Sequence, residues 1–225
     1  MTRITVIVEG ATEEIFISSV VAPSLWNREV FVTPVILGVA GHKGGNVKYA
    51  RVRKDILLQL KQDRSGYCST MLDLYGLGNG FPGTPLPANL SGHRKAERIE
   101  QAVRKDIVAA IPDLRPELRF IPYLQVHEYE GLLFSDSDAF AATLGGKDIS
   151  RQLRNIRDAF PTPEDINDDP NTAPSKQVCA LYPGYQKVID GTVAAQAVGL
   201  PSMRREWPHF NAWMDRLESL AVATI

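Results

Sequence analysis

Apolar residues along the first half of the chain alternate between two periods. Residues 3–8, Arg-Ile-Thr-Val-Ile-Val, read as a strand, with Ile4, Val6 and Val8 on one side and Thr5 and Ile7 on the other. Both faces are largely apolar, which suits a strand covered on both sides in a parallel sheet. A helix is predicted over 13–21, with Thr12 as its N-cap, Glu13 and Glu14 in the first turn where the helix dipole favours them, and Pro23 as its stop. A second strand follows over 30–37, with Pro34 marking it as an edge or bulged strand. An amphipathic helix over 47–62, a strand over 67–72, a helix over 93–111 closed by Pro112 and a strand over 118–124 complete the series. Residues 74–92 form a long irregular segment, a length of loop that in compact domains carries function or moves.

The order β-α-β-α-β-α-β predicts right-handed crossovers and a parallel sheet. From Gly131 onward only helical and loop patterns remain. Helices are predicted over 138–144, 149–160, 176–182, 188–198 and 207–221, and a loop rich in Pro, Asp and Asn over 160–175. The expected fold is therefore α/β: a parallel sheet of about four strands flanked by helices, with a mainly helical C-terminal extension. The core is assigned to residues 1–134 and the extension to 135–225, packed together as one compact unit.

Composition narrows the classes without choosing among them. Apolar residues make up 44% and charged residues 23% of the 225, ordinary for a globular protein in water. With 25 basic against 26 acidic side chains the net charge is −1, so any nucleic-acid surface has to be local. Cys68 and Cys179 fit no metal spacing and read as reduced core residues of a cytoplasmic protein. The opening strand lacks the pattern of a secretory leader, and no apolar run has membrane-spanning length.

The chemistry concentrates at strand ends. Strand 3–8 ends in Glu9-Gly10, strand 67–72 in Asp73, and strand 118–124 runs into His127-Glu128-Tyr129-Glu130. A parallel sheet brings its C-terminal strand ends to one edge, where open α/β folds bind ligands. Carboxylates gathered there repel unless a positive charge lies between them, and a hard divalent ion such as Mg²⁺ or Mn²⁺ takes oxygen ligands of this kind. Taken singly, each carboxylate also reads as a helix cap or a solvated charge. The loop Gly41-His42-Lys43-Gly44-Gly45-Asn46 leads into a helix bearing Lys48 and Arg51. It reads either as a phosphate cradle or as a flexible turn before a solvated basic face. It is not a Walker A loop.

Val8-Glu9-Gly10-Ala11-Thr12-Glu13 resembles the first signature of the Toprim fold of topoisomerases, primases and overcoming-lysogenisation-defect (OLD) nucleases. More closely, the chain resembles a bacterial Toprim-like family of unknown function related to the Toprim domains of OLD-type nucleases. The match includes Gly41 to Asn46, Met71-Leu72-Asp73-Leu74-Tyr75-Gly76, His127-Glu128-Tyr129-Glu130-Gly131-Leu132-Leu133, Thr172-Ala173-Pro174-Ser175-Lys176 and Pro208-His209-Phe210. The resemblance implies that Glu9 is a metal ligand or general acid/base and that Asp73 opens the Asp-X-Asp metal signature. Tyr75 stands where the second aspartate belongs, and Glu128 or Glu130 is the candidate replacement. If 128–130 is extended, Glu128 and Glu130 share a face; if helical, His127 and Glu130 do. Lys43 and Lys176 are candidates to offset charge on a phosphate. Tyr75 reads as a packing or hydrogen-bonding residue, Ser175 as a helix N-cap, and Trp207, Phe210 and Trp213 as core.

The implied activity is Mg²⁺- or Mn²⁺-dependent cleavage of DNA or RNA. The implied setting is the effector of a phage-defence system acting with a separate ATPase; an oligomer is compatible with it. Two other readings stand beside it: a non-catalytic Toprim-like partner or regulatory subunit, and a small-molecule phosphotransfer or nucleotide-hydrolysing enzyme.

Overall fold

The structure, a computed structural model, describes residues 1–38, 47–78, 80–87, 89–166 and 173–221. It is an α/β fold on a parallel sheet. Strand β1 (Thr2–Val8) lies between β2 (Val30–Ile36) and β3 (Tyr67–Asp73), and β4 (Phe120–Ile121) lies beyond β3. Ile4, Val6, Ile7 and Val8 are all buried, as a strand flanked on both sides and covered on both faces requires. Pro34 pairs with Val6 on β2, which has β1 alone as its neighbour, so the missing N–H interrupts no second ladder.

Two predicted elements take a different form. Helix α1 (Ala11–Phe16) does not stop at Pro23; it continues through a π-helical turn (Ile17–Val21) into α2 (Ala22–Leu25). The wider turn re-phases the ladder, with the Ala22 N–H bonding the Ile17 carbonyl. Pro23 then falls in the first turn of α2, where a missing N–H costs little. Helix α3 (Tyr49–Gln62) precedes β3, and α4 (Gly92–Ala110) follows it with Ser91 as N-cap. The strand predicted over 118–124 begins instead as a short helix, α5 (Pro116–Arg119). It then divides into β4 and β5 (Leu124–Gln125), both paired with β3. Pro122 has no N–H for the ladder, and β3 side chains fill the gap. Ser69 Oγ donates to the Ile121 carbonyl at 2.6 Å, and Thr70 Oγ1 both donates to Tyr123 O at 2.9 Å and accepts from Tyr123 N at 3.0 Å.

The C-terminal part is helical: α6 (Glu130–Leu133), α7 (Ser137–Thr143), α8 (Lys147–Asp158), α9 (Pro174–Leu181), α10 (Asp190–Val198), α11 (Leu200–Glu206) and α12 (Pro208–Glu218). Helix α11 was not foreseen; Gly199, at φ 75°, separates it from α10, and prolines sit in the first turns of α11 and α12.

The β3 side chains assign the two layers. Thr70 and Leu72 meet Val52 of α3 and Ile99 and Val103 of α4 on one face. On the other, Trp213 of α12 donates to Ser69 Oγ at 2.9 Å and stacks on Tyr123 at 4.6 Å between ring centres. Trp207, Phe210 and Trp213 are buried, and Phe16 of α1 lies against Phe210 and Tyr129. Cys68 is buried, but Cys179 is exposed, against the core expectation, because α9 turns Pro174 and Val178 inward instead. No helix among the described residues is long and apolar enough to cross a membrane.

Candidate active site

Glu9 follows β1 directly, Asp73 ends β3, and Glu128 lies in the turn after β5, so the parallel order delivers all three to the same edge. They line one cleft of about 520 Å³ together with Tyr75, His127, Lys176 and Lys187. Glu130 lies behind this lining with no exposure at all, and Glu13 is buried at the start of α1.

Local structure explains each placement. The N-cap of α1 is Gly10 and not Thr12, because Glu13 reaches back and accepts the Gly10 N–H at 3.0 Å, leaving Thr12 buried inside the first turn. This turns the Glu13 carboxylate inward beside Glu9. After β3 the chain makes a tight turn over Leu74–Gly76, and a Cβ at Gly76 would lie 3.4 Å from Glu9 Oε2. The absence of a side chain there lets the backbone pass the carboxylate. Glu128 and Glu130 do not share a face, because the chain bends and α6 begins at Glu130. Glu128 Oε2 accepts the Ser175 N–H at 3.0 Å at the start of α9, whereas Glu130 turns inward, 3.0 Å from Lys187 Nζ. Ser175 is therefore not the N-cap; α9 opens at Pro174 behind Ala173, and the serine contributes its backbone N–H.

Burial and like charge work in the same direction on these carboxyls. Asp73 is raised well above the usual carboxylate range by burial first, then by Glu13, Glu9 and Glu130, with Lys187 opposing. Glu9 is raised by burial and then by Glu13, again opposed by Lys187. Glu130 is raised by burial despite its lysine partner. For Lys187 burial favours the neutral amine, but Glu130, Asp73 and Glu13 outweigh it and hold the ammonium charged.

Tyr75 is 49% exposed and is a wall of the cleft, not part of the core. Its ring stacks on His127 at 5.1 Å and 4° between planes, and Lys95 Nζ lies 5.8 Å from the ring centre. His127 Nε2 donates to the Glu164 carbonyl at 2.6 Å, which fixes the ring. Lys176 is exposed on the cleft wall. Lys48, exposed at the N-cap of α3, and Arg51, whose guanidinium donates to Leu37 O at 2.9 Å, do not line this cleft. Gly41, His42, Lys43, Gly44, Gly45 and Asn46, with Thr172, lie outside the described residues.

Two residues escaped the sequence reading. Glu13 has the spacing of a first-turn helix acid, and that pattern conceals its inward turn. Lys187 belongs to the segment between α9 and α10, where no motif marks it; the only available signal was the surplus of acid at the strand ends.

The donor set is all oxygen, as Mg²⁺ or Mn²⁺ requires, and two buried oxygens, Glu9 Oε2 and Glu130 Oε1, have no hydrogen-bond partner among the described residues. Among the described residues, however, no three His, Cys, Asp or Glu side chains are drawn together tightly enough to hold an ion as they stand.

The family described as "Domain of unknown function (DUF4276)" matches residues 8–218. The chain belongs to DUF4276. No curated protein matches this DUF4276 chain. A solved structure described as the C-terminal region of the Xanthomonas campestris pv. campestris OLD protein aligns with 96% of each chain, at 12% identity and a TM-score of 0.42. At that level the likeness carries no functional argument.

Behind the cleft this DUF4276 chain has a second polar cluster. His209 Nε2 donates to Glu100 Oε1 at 2.9 Å, and the same oxygen accepts the Leu124 N–H at 2.7 Å. Glu164 Oε1 accepts the His209 N–H at 2.9 Å. Burial opposes a charged His209 ring, but the bond to Glu100 and the charges of Glu100, Glu164 and Glu97 prevail and raise its pKa. A raised histidine stabilises fully below its unfolded value of about 6.5, and the contribution is lost as pH rises through the folded value. The wild type should therefore lose urea resistance between pH 6 and pH 8.5 relative to Glu100→Gln; equal losses in both proteins would disprove the linkage.

Proposed function

We propose that the chain is a Mg²⁺- or Mn²⁺-dependent nuclease that cleaves phosphodiester bonds of DNA or RNA. The observation that carries this reading is the convergence of Glu9, Asp73 and Glu128 from three strand ends on one open cleft that also holds Lys176 and Lys187. The Toprim-like signatures in the sequence support it, and so do the two buried carboxylate oxygens that lack partners. Glu9, Glu13, Asp73, Glu128 and Glu130 would hold the metal, with the inward-turned Glu13 supplying the carboxylate that Tyr75 does not. When bound, such an ion supplies Lewis-acid activation of the phosphate and of a water nucleophile.

The chain's own groups do the rest. Glu9, at the end of β1 on the cleft wall, would either hold the ion or take a proton from attacking water. Lys176 and Lys187 on the cleft wall offset the charge that grows on the phosphate oxygens. The Tyr75–His127 stack gives the cleft a rigid aromatic side. A separate ATPase and a role in phage defence belong to this reading through the sequence resemblance.

Metal-dependent nicking of plasmid DNA or cleavage of RNA tests the proposal, with the protein alone and with any ATPase encoded beside it. Cleavage that requires Mn²⁺ or Mg²⁺ and is lost in Glu9→Gln is the expected result. No cleavage, or cleavage indifferent to Glu9→Gln, rejects it.

The Lys187–Glu130 pair favours a second reading, a non-catalytic partner whose acidic centre is partly compensated from within. Calorimetry with Mg²⁺ and Mn²⁺ separates the two, since carboxylate-dependent binding counts against a vestigial centre.

A further inference from the structure

Lys187 reaches the acidic centre from the segment between α9 and α10, and its Nζ lies 3.0 Å from Glu130 Oε2. Glu130 is wholly buried and its Oε1 has no hydrogen-bond partner. The buried hydroxyl of Tyr185, two residues before Lys187, has no hydrogen-bond partner either. The lysine side chain keeps 37% of its surface exposed, and the residues after it, Val188 and Ile189, are 41% and 59% exposed. Glu130 is thus fixed in the interior, while its cation comes from a turn whose next residues face solvent.

We propose that Lys187 is a resident counter-cation: its ammonium supplies, in the metal-free chain, part of the positive charge that the divalent ion would bring, and metal binds in competition with the Lys187–Glu130 pair. The inference rests on the metal-centre reading given above. One ammonium cannot neutralise Glu9, Glu13, Asp73 and Glu130 together, so the centre keeps a surplus of negative charge that a second cation would relieve. A divalent ion supplies twice the charge and accepts six or more oxygens. The two cations repel each other at Glu130, so each weakens the binding of the other. Observed metal affinity is then the intrinsic affinity reduced by the work of breaking the lysine pair.

The test is Mn²⁺ titration calorimetry on the full chain, comparing wild type with Lys187→Met. Lys176→Met serves as the control, because it removes a positive charge from the same cleft without touching Glu130. The inference expects Lys187→Met to bind Mn²⁺ about tenfold tighter than both the wild type and the control. It also expects the Tm of the metal-free variant to fall below wild type and Mn²⁺ to restore it. Lys187→Gln, which keeps a hydrogen-bond donor for Glu130, replaces the Met variant if that fails to fold, with the same expected direction. If both proteins bind Mn²⁺ and Lys187→Met gains no more than Lys176→Met, the counter-cation is rejected while the metal centre stands. If neither binds Mn²⁺, the metal centre is rejected and the inference with it.

Discussion

Asp73→Asn is expected to stabilise the metal-free protein while removing the proposed metal-dependent activity. Asp73 ends a buried strand and is surrounded by Glu13, Glu9 and Glu130, with Lys187 as the opposing charge. Burial and those three neighbours all oppose its ionised form, so the charge is a cost that the metal-free fold carries. Asparagine keeps the shape and discards the charge. The gain should be about 0.5–2 kcal/mol, in the range typical of relieving strain at a functional site, and Tm should rise about 2–4 °C for each kcal/mol. The pH dependence follows from the same direction. A carboxyl raised on folding contributes stability below its unfolded value of about 3.9 and loses it as pH rises through the folded value. The advantage of Asp73→Asn should therefore be small near pH 4 and complete at alkaline pH. Mn²⁺-dependent cleavage should fall about a hundredfold or more, as when one positioned catalytic group is lost. Thermal melts without metal and plasmid nicking with Mn²⁺ read the two effects separately. A lower Tm at neutral pH would show that structural contacts hold the Asp73 carboxylate in place, and would remove it from the candidate centre.

The parallel topology was legible because strand and helical periods alternate along the first half and the opening strand is apolar on both faces. From that order the meeting of Glu9, Asp73 and Glu128 follows without any knowledge of side-chain contacts. What was not legible depends on relations across the fold. Pro23 looks like a stop, and only the π turn before it shows why the helix passes. Residues 118–124 look like one strand, but Pro122 divides it, and Ser69 and Thr70 mend the ladder from a distant part of the chain. Ser175 looks like a cap, yet the cap comes from Glu128. Lys187 is the clearest case. Its role depends on a carboxylate 57 positions earlier (187 − 130), in helix α6, and no local pattern encodes it. Local spacing names the acidic groups; which cation answers them is decided by packing.

Gly131→Ala is the second change expected to have a large effect, and here packing alone is at issue. Gly131 follows Glu130 in α6 and is buried. A Cβ at this position would lie 2.8 Å from Trp207 Cη2 and 3.1 Å from Cζ2, closer than carbon atoms approach. Trp207 is fully buried, so its ring cannot swing out to solvent, and either α6 or the indole must shift. Overpacking of this kind costs about 1–3 kcal/mol, with a fall in Tm of about 2–4 °C for each kcal/mol. The indole N–H has no hydrogen-bond partner among the described residues, so Trp207→Phe forfeits packing area but no bond shown there. A phenyl ring is shorter and leaves room for the added methyl. The double variant Gly131→Ala/Trp207→Phe should therefore be more stable than the sum of the two single losses by about 0.5–3 kcal/mol, the range of coupling between residues in contact. Because Glu130 is the adjoining residue, the Mn²⁺ affinity proposed for the centre should fall in Gly131→Ala and recover in the double variant. Urea unfolding of the four proteins measures the coupling. Strict additivity would show that the glycine accommodates a methyl group without displacing Trp207, and that the position of Glu130 does not depend on this contact.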